Sequence, residues 1–182
     1  MKHTQVRAST IALAIAMSGP VFAGGYIGAG IGLASIDVCG DLIAAGATSC
    51  DDEDTGFKIF GGYDFNENIG IEGGYTDYGE LTASDGITTV TAELTAFAIS
   101  GKGAIPLNDN ISVFGKLGVA FWDAEASASG FGSADADDTD LTYGIGAEFD
   151  VNETFGVRGE WERLDADGED VDLLSISAIL KF

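Results

Sequence analysis

The sequence predicts an all-β fold, an eight-stranded antiparallel up-and-down transmembrane β-barrel, and three observations lead to it. Apolar residues recur at every second position in eight segments that are separated by turn residues. The connections between these segments alternate between long and short, as in barrels whose two ends face different compartments. The last segment ends on the aromatic Phe182, where a membrane barrel places its aromatic girdle.

The N-terminus has the features of an export signal. Lys2 and Arg7 precede an apolar run at 11–17, and a small-residue cleavage site ends at Ala23. The run is shorter than the roughly 20 residues of a membrane-spanning helix, so cleavage of this segment is favoured over its retention as a membrane anchor. We therefore predict a signal peptide over 1–23, cleaved after Ala23, and one barrel domain over 24–182.

The strands follow in order after the cleavage site. The first seven are predicted at 24–36, 55–64, 69–78, 90–105, 111–122, 140–149 and 154–164. The eighth ends the chain with an apolar face made by Leu174, Ile176, Ala178, Leu180 and Phe182. This ending resembles the C-terminal strand by which bacterial outer-membrane barrels are recognised for assembly. We therefore predict that the last four of these residues form the assembly signal.

Three short connections share one pattern. They begin at Asn66, Asn108 and Asn152, each followed by an acidic residue, and they recur 42 and 44 residues apart. The repeating unit is therefore a two-strand hairpin. Asn and Asp adopt turn conformations that other residues resist. The other connections, at 37–54, 79–88, 123–138 and 165–170, are rich in acidic residues and are predicted to be outer loops.

Charge and histidine content exclude several functions. The net charge is −22, and removal of the signal would take away two of the eight Lys and Arg but none of the 30 Asp and Glu. The electrostatic field of so negatively charged a chain excludes nucleic-acid binding. The only histidine is His3, inside the predicted signal. Serine–histidine hydrolysis is therefore excluded, and we predict no enzymatic activity and no cofactor. The acidic run 165–170 lacks the full spacing of a calcium loop, and the run 51–54 is interpreted as a solvated stretch of charges, so no metal site is predicted.

Two cysteines, Cys39 and Cys50, lie in the first long connection. Because disulfides form readily in exported proteins, we predict that the two are linked. Two free thiols are the alternative.

The alternation of apolar and polar residues does not by itself distinguish a membrane barrel from a soluble barrel of the lipocalin type. The same pattern results whether the apolar face of the sheet points outward or inward. Charges of both signs in the middle of strands, together with abundant Gly and Ala, favour a small polar lumen and an apolar outer face. Opposite charges in a narrow lumen should pair, since an unpaired buried charge is costly. The candidate lumen residues are Lys58, Glu72, Lys102, Lys116, Glu148, Arg158, Glu160 and Glu162.

Three segments resemble strands of the outer membrane protein A family. Residues 69–75 are similar to its third strand, 114–118 to its fifth and 157–161 to its seventh. The resemblance implies that Glu72 pairs with Arg158 and Lys102 with Glu148, and that partner exchange gates a small pore. Nothing follows Phe182, so we expect the peptidoglycan-binding domain of that family to be absent.

These features predict a structural or surface-interaction protein of the bacterial outer membrane, with both termini periplasmic. A narrow gated ion-conducting pore is the alternative function, and adhesion is a third. A lumen full of side chains argues against a wide channel. The expected partners are outer-membrane lipid, lipopolysaccharide and the barrel-assembly machinery, with the chain as a monomer.

Overall fold

The computed structural model of the chain describes residues 24–36, 49–51, 53–84, 89–128, 132–166 and 169–182. The strands, in chain order, are β1 (Gly24–Ile36), β2 (Ser49–Asp51), β3 (Glu53–Asp64), β4 (Ile69–Ser84), β5 (Thr89–Pro106), β6 (Ile111–Ala128), β7 (Gly132–Asp150), β8 (Phe155–Ala166) and β9 (Glu169–Lys181). Within these described residues, no helix is both long and apolar enough to cross a membrane.

Eight long strands close into a barrel. Each pairs antiparallel with its neighbour in the chain, from β3 through β9, and β1 pairs with both β3 and β9. The three-residue β2 pairs with the far end of β4, with Ser49 opposite Ser84, and so extends the ladder beyond β3. The predicted eight-stranded antiparallel barrel is confirmed.

The alternation along the strands separates an apolar outer face from a mixed interior. On β3, Phe57 and Ile59 point outward and are 45% and 46% exposed, while Lys58 and Phe60 point inward and are buried. Large exposed hydrophobic side chains recur in the same way on every long strand. This orientation is the one expected of a membrane barrel and the reverse of a lipocalin-type barrel.

The three repeated turns share one hydrogen-bond geometry. In each turn the side-chain oxygen of Asn66, Asn108 or Asn152 accepts the backbone N–H groups two and three residues later, at 2.8–2.9 Å. The Asn side chain thereby replaces part of the backbone turn. We call the end of the barrel that carries these turns the turn end, and the opposite end the outer end.

At the outer end the strands are longer than the sequence predicted. The connections predicted over 79–88 and 123–138 are largely strand, because β4 continues to Ser84, β6 to Ala128 and β7 begins at Gly132. Their Ala, Ser, Gly and Asp residues have low β-propensity, but cross-strand pairing overrides this preference. We call residues 80–84, 89–95, 123–128 and 132–139 the outer sheet.

A β-bulge interrupts β4 between Asp77 and Glu80. Gly79 has φ of 81°, and a Cβ atom there would collide with the Asp54 carboxylate. Asp54 accepts the backbone N–H of Glu80 at 2.7 Å, and Asp77 accepts that of Gly79 at 2.9 Å. Bulges of this kind re-aim a neighbouring side chain. Tyr78 keeps the inward direction of Glu72 and Thr76, and the bulge turns Glu80 to the outward face, opposite Glu93.

Candidate functional site

The inward-facing side chains form two principal layers along the barrel axis. The first, which we call the ion layer, contains the eight charged residues predicted from the sequence, none of them more than 8% exposed. The second, which we call the apolar plug, lies nearer the outer end. It consists of Ala34, Ile36, Tyr78, Leu94, Ala96, Ala120, Trp122, Leu164, Val171 and Leu173.

Lys116 occupies the middle of the ion layer. Its Nζ lies 2.8 Å from Glu72 Oε1, 2.5 Å from Glu160 Oε1 and 2.8 Å from Glu162 Oε2. Lys58 provides a second ammonium, 2.9 Å from Glu160 and 3.3 Å from Glu162. Buried carboxylates need such neutralisation, since a buried charge without a partner is costly.

Arg158 joins two carboxylates and is fully buried. Its Nη1 lies 2.6 Å from Glu72 Oε2, and its Nη2 lies 2.8 Å from Glu148 Oε1. The guanidinium carbon lies 4.3 Å from the centre of the Phe60 ring and 4.8 Å from that of Phe114, within the range of a cation–π contact. The family resemblance implied Glu72 as the partner of Arg158, and the structure places them in contact.

Three glycines make room for the aromatic rings around Arg158. A Cβ atom at Gly28 would overlap the ring of Phe60, one at Gly62 would overlap Tyr26, and one at Gly146 would overlap Phe114. The glycine content of these strands is therefore a packing requirement of the lumen. Tyr26 is also held by its hydroxyl, which donates to Glu72 Oε2 at 2.8 Å.

Lys102 lies between two carboxylates near the turn end. Its Nζ lies 3.5 Å from Glu148 Oε1, the implied partner, but only 2.9 Å from Asp64 Oδ1. Asp64 was not among the predicted lumen residues. The alternation on β3 could have found it, because every second residue from Lys58 points inward as far as Asp64. Lys181 neutralises a further carboxylate at this end and lies 2.5 Å from Asp150 Oδ1.

The apolar plug was not predicted from the sequence. Its signal is a change along the inward-facing series of individual strands, from charged near the turn end to apolar near the outer end. On β8 the inward series runs from Arg158 through Glu160 and Glu162 to Leu164, and on β4 it runs from Glu72 to Tyr78. The lumen is therefore polar in one part and apolar in the other, and not polar throughout.

The predicted assembly residues lie at the seam where the barrel closes. Ile176, Ala178, Leu180 and Phe182 all point outward. The Phe182 N–H donates to Gly25 O at 2.9 Å, and the Gly25 N–H donates to Phe182 O at 3.0 Å. Recognition of this strand by assembly machinery stays a prediction. The signal peptide and Cys39 lie outside the described residues, so cleavage after Ala23 and the link between Cys39 and Cys50 also stay predictions.

The outer sheet carries rows of like charge. Glu93 on β5 lies opposite Glu125 on β6, which lies opposite Asp135 on β7, and Asp123 lies opposite Asp137. These five carboxylates line an open groove of about 350 Å³ on the outward face of the sheet. Like charges directly opposite each other destabilise a sheet, so fold stability does not account for the arrangement.

Basic side chains are nearly absent from the outer end. Of the Lys and Arg in residues 24–182, only Arg163 lies there; the others belong to the ion layer or, like Lys181, to the turn end. Arg163 is itself engaged, 2.6 Å from Asp172 and 2.5 Å from Asp170. The outer end is therefore anionic.

The sequence matches the family model for the outer membrane protein β-barrel domain over residues 8–182. The chain belongs to this family. It is 25% identical over 184 residues to the attachment invasion locus protein of Yersinia pseudotuberculosis, covering all of this chain and 98% of that protein. It is 24% identical over 166 residues to outer membrane protein A of Escherichia coli O157:H7, covering 89% of this chain but only 47% of that protein. The chain thus spans about half the length of this second relative.

Two solved structures have the same fold. Ail, the attachment invasion locus protein of Yersinia pestis, solved in complex with the heparin analogue sucrose octasulfate, superposes with a TM-score of 0.61 at 19% identity. This match covers 89% of this chain and 100% of that chain. The N-terminal β-barrel domain of Pseudomonas aeruginosa OprF also gives a TM-score of 0.61, at 9% identity, over 87% of this chain and 99% of that chain.

Proposed function

We propose that this chain is a surface-interaction barrel of the bacterial outer membrane, which presents its outer sheet to partners outside the cell. The observation that carries the proposal is the outer sheet itself. Three long strands, β5 to β7, continue past the outward apolar band and hold five carboxylates on one exposed face. Opposed like charges weaken a sheet, and proteins depart from such rules of stability mainly at functional sites, such as a surface that contacts a partner.

The orientation follows from the connections. Barrels of this class place their short turns in the periplasm and their longer connections outside. The three Asn turns and both ends of the mature barrel, Gly24 and Phe182, share the turn end. We therefore propose that the signal peptide is removed after Ala23, that both termini are periplasmic, and that the outer sheet faces the surroundings of the cell.

The charge of the outer end indicates the kind of partner. Arg163 is the only basic residue there, and two aspartates already bind it, so a polyanion would meet repulsion. The relative Ail was solved with a heparin analogue, and we propose that this chain differs and favours cationic partners, such as basic peptide segments. Lipid, lipopolysaccharide and the assembly machinery remain proposed partners of the barrel wall and its last strand.

The test compares a cationic and an anionic probe. The protein in lipid nanodiscs is exposed to oligolysine and to heparin, and binding is followed by biolayer interferometry at low and physiological salt. We expect oligolysine to bind, with an affinity that falls as salt screens the charges over about 8 Å. We expect no heparin binding. Heparin binding without oligolysine binding would contradict the proposal.

A matched pair of variants locates the binding face. Asp123→Asn, Glu125→Gln and Asp137→Asn together neutralise three charges on the outer sheet. Glu67→Gln, Asp109→Asn and Glu153→Gln together neutralise three exposed charges in the turns at the opposite end. Oligolysine binding should weaken in the first triple variant and not in the second. Equal weakening in both would show that only net charge matters.

A gated pore is the second candidate function. The observation that favours it is Lys102, which lies within reach of both Asp64 and Glu148 and can exchange one for the other. Measurement of single-channel currents in a planar bilayer tests this alternative. For ions to pass through such a pore, the rest of the lumen must open as well.

A further inference from the structure

The apolar plug separates the ion layer from the outer end of the lumen. Its ten side chains come from six of the eight long strands, and none is more than 8% exposed. Leu164 and Leu173 are completely inaccessible to solvent, and Val171 and Ala120 are 1% exposed. The centre of the plug, at Leu164 and Leu173, is therefore closed to water, and its other members are only slightly exposed.

An ion that crossed the lumen would meet two different environments. In the ion layer, carboxylates and ammonium groups can replace part of the hydration shell of an ion. The plug members carry no charged groups, since they are aliphatic or aromatic apart from the hydroxyl of Tyr78 and the indole N–H of Trp122, which Asp140 accepts. Apolar constrictions stop ions because they exclude water.

Rearrangement of the ion layer leaves the plug in place. Exchange of Lys102 between Asp64 and Glu148 moves an ammonium near the turn end by a few ångströms. On the same strand, Leu94 of the plug lies eight residues away, about 26 Å along β5. Glu72, opposite Ser100 between these two positions of β5, keeps Lys116 and Arg158 as its partners.

Two polar anchors hold the large side chains of the plug. Tyr78 continues the inward alternation of β4, and the bulge at Gly79, with Asp54 bound to the N–H of Glu80, fixes the backbone directly after it. The indole Nε1 of Trp122 donates to Asp140 Oδ2 at 2.8 Å. Both anchors lie at the outer end, far from Lys102, so a change at Lys102 does not release them.

From this arrangement we infer that the permeation barrier of the barrel is the apolar plug, and that partner exchange in the ion layer does not open it. The inference concerns the lumen alone and does not depend on what binds the outer sheet. It assigns the barrier to aliphatic packing, with Leu164 and Leu173 at its centre.

The test is conductance in a planar bilayer for four proteins. These are the wild type, Lys102→Ala, the plug variant Leu164→Ala with Leu173→Ala, and the plug variant combined with Lys102→Ala. A matched control, Leu141→Ala with Leu174→Ala, removes the same atoms from the outward face, where both side chains are exposed. Faster migration of unboiled protein on a denaturing gel verifies that each barrel is folded.

We expect the wild type, Lys102→Ala and the control to be silent and the plug variant to conduct. The combined variant should conduct more and favour cations, because it leaves an excess of carboxylates in the lumen. Increased conductance in Lys102→Ala with the plug intact would overturn the inference. So would silence of the folded combined variant. If the double truncation does not fold, the single Leu173→Ala variant takes its place in the same comparison.

Discussion

The Arg158 guanidinium on β8 lies 2.6 Å from the Glu72 carboxylate on β4, although the two residues are 86 positions apart in the chain. β4 and β8 are not neighbours in the sheet, so this ion pair spans the lumen. The same guanidinium also binds Glu148 on β7. Arg158 therefore connects opposite walls of the barrel, and its removal should affect the whole fold.

We expect Arg158→Ala to lower the free energy of unfolding by about 3–5 kcal/mol, because it leaves Glu72 and Glu148 buried with one cation fewer. Arg158→Lys should keep only part of the stability that Arg158→Ala loses, since an ammonium lacks the planar guanidinium geometry that reaches both carboxylates. The measurement is urea unfolding in lipid vesicles. Arg163→Ala, which removes a partly exposed arginine at the outer end, is the control and should have a much smaller effect. An unchanged midpoint for Arg158→Ala would place that residue in contact with solvent.

Truncation of the apolar plug should also destabilise the barrel. We expect Leu164→Ala or Leu173→Ala to cost about 2–5 kcal/mol each, since both side chains are completely buried and the cavity left behind cannot fill with lipid. Leu174→Ala removes the same atoms from the adjacent, outward-facing position and should cost less. Urea midpoints of the three variants provide the comparison, and equal losses at Leu173 and Leu174 would contradict it.

The Asn turns should contribute independently of the lumen. Asn108→Ala removes the oxygen that accepts the N–H groups of Asn110 and Ile111, both at 2.9 Å. We expect a loss of roughly 1 kcal/mol in unfolding free energy, the usual net value of such bonds. Asn108→Asp keeps the acceptor and should be close to the wild type, and Asp109→Ala serves as the control. A loss in Asp109→Ala as large as that in Asn108→Ala would show that the acceptor is not responsible.

The bulge at Gly79 should respond to acid. The pKa of Asp54 is lowered from its usual value because its carboxylate accepts the backbone N–H groups of Glu80 and Thr55. Because the pKa of Asp54 is lower in the folded state, its ionised carboxylate stabilises the bulge fully at pH values above its unfolded pKa of about 3.9. This stabilisation is lost as the pH falls through the pKa of Asp54 in the folded state. The amide signal of Glu80 in NMR spectra should shift in that range. Asp54→Asn should abolish the shift, and persistence of the shift would refute the assignment.

The cysteine prediction is tested chemically. Mass spectrometry of peptides digested without reductant should find Cys39 linked to Cys50. In the chain-entropy model, a bridge that closes so short a loop contributes about 3 kcal/mol. Complete alkylation of both thiols before reduction would show that no bridge forms.

Much of the barrel could be predicted from alternation alone. The period of two along β3 assigned Lys58 and Phe60 to one face and Phe57 and Ile59 to the other, and the Asn repeats marked the turn end. The outer sheet could not be predicted in this way. Residues 123–128 and 132–138 are rich in residues of low β-propensity, and backbone pairing of β6 with β5 and β7 keeps them extended.

The sequence by itself determined the strand number, the inward set of charges and the apolar outer face, because side-chain direction in a strand depends only on position parity. Only the tertiary structure decided which charges meet. Lys102 contacts Asp64 more closely than Glu148, and Lys116 gathers Glu72, Glu160 and Glu162, because closure through β1 and β9 sets the stagger that brings distant strands to one level. The same stagger gathers one or two apolar residues from each of six strands into one plug, which no individual strand reveals.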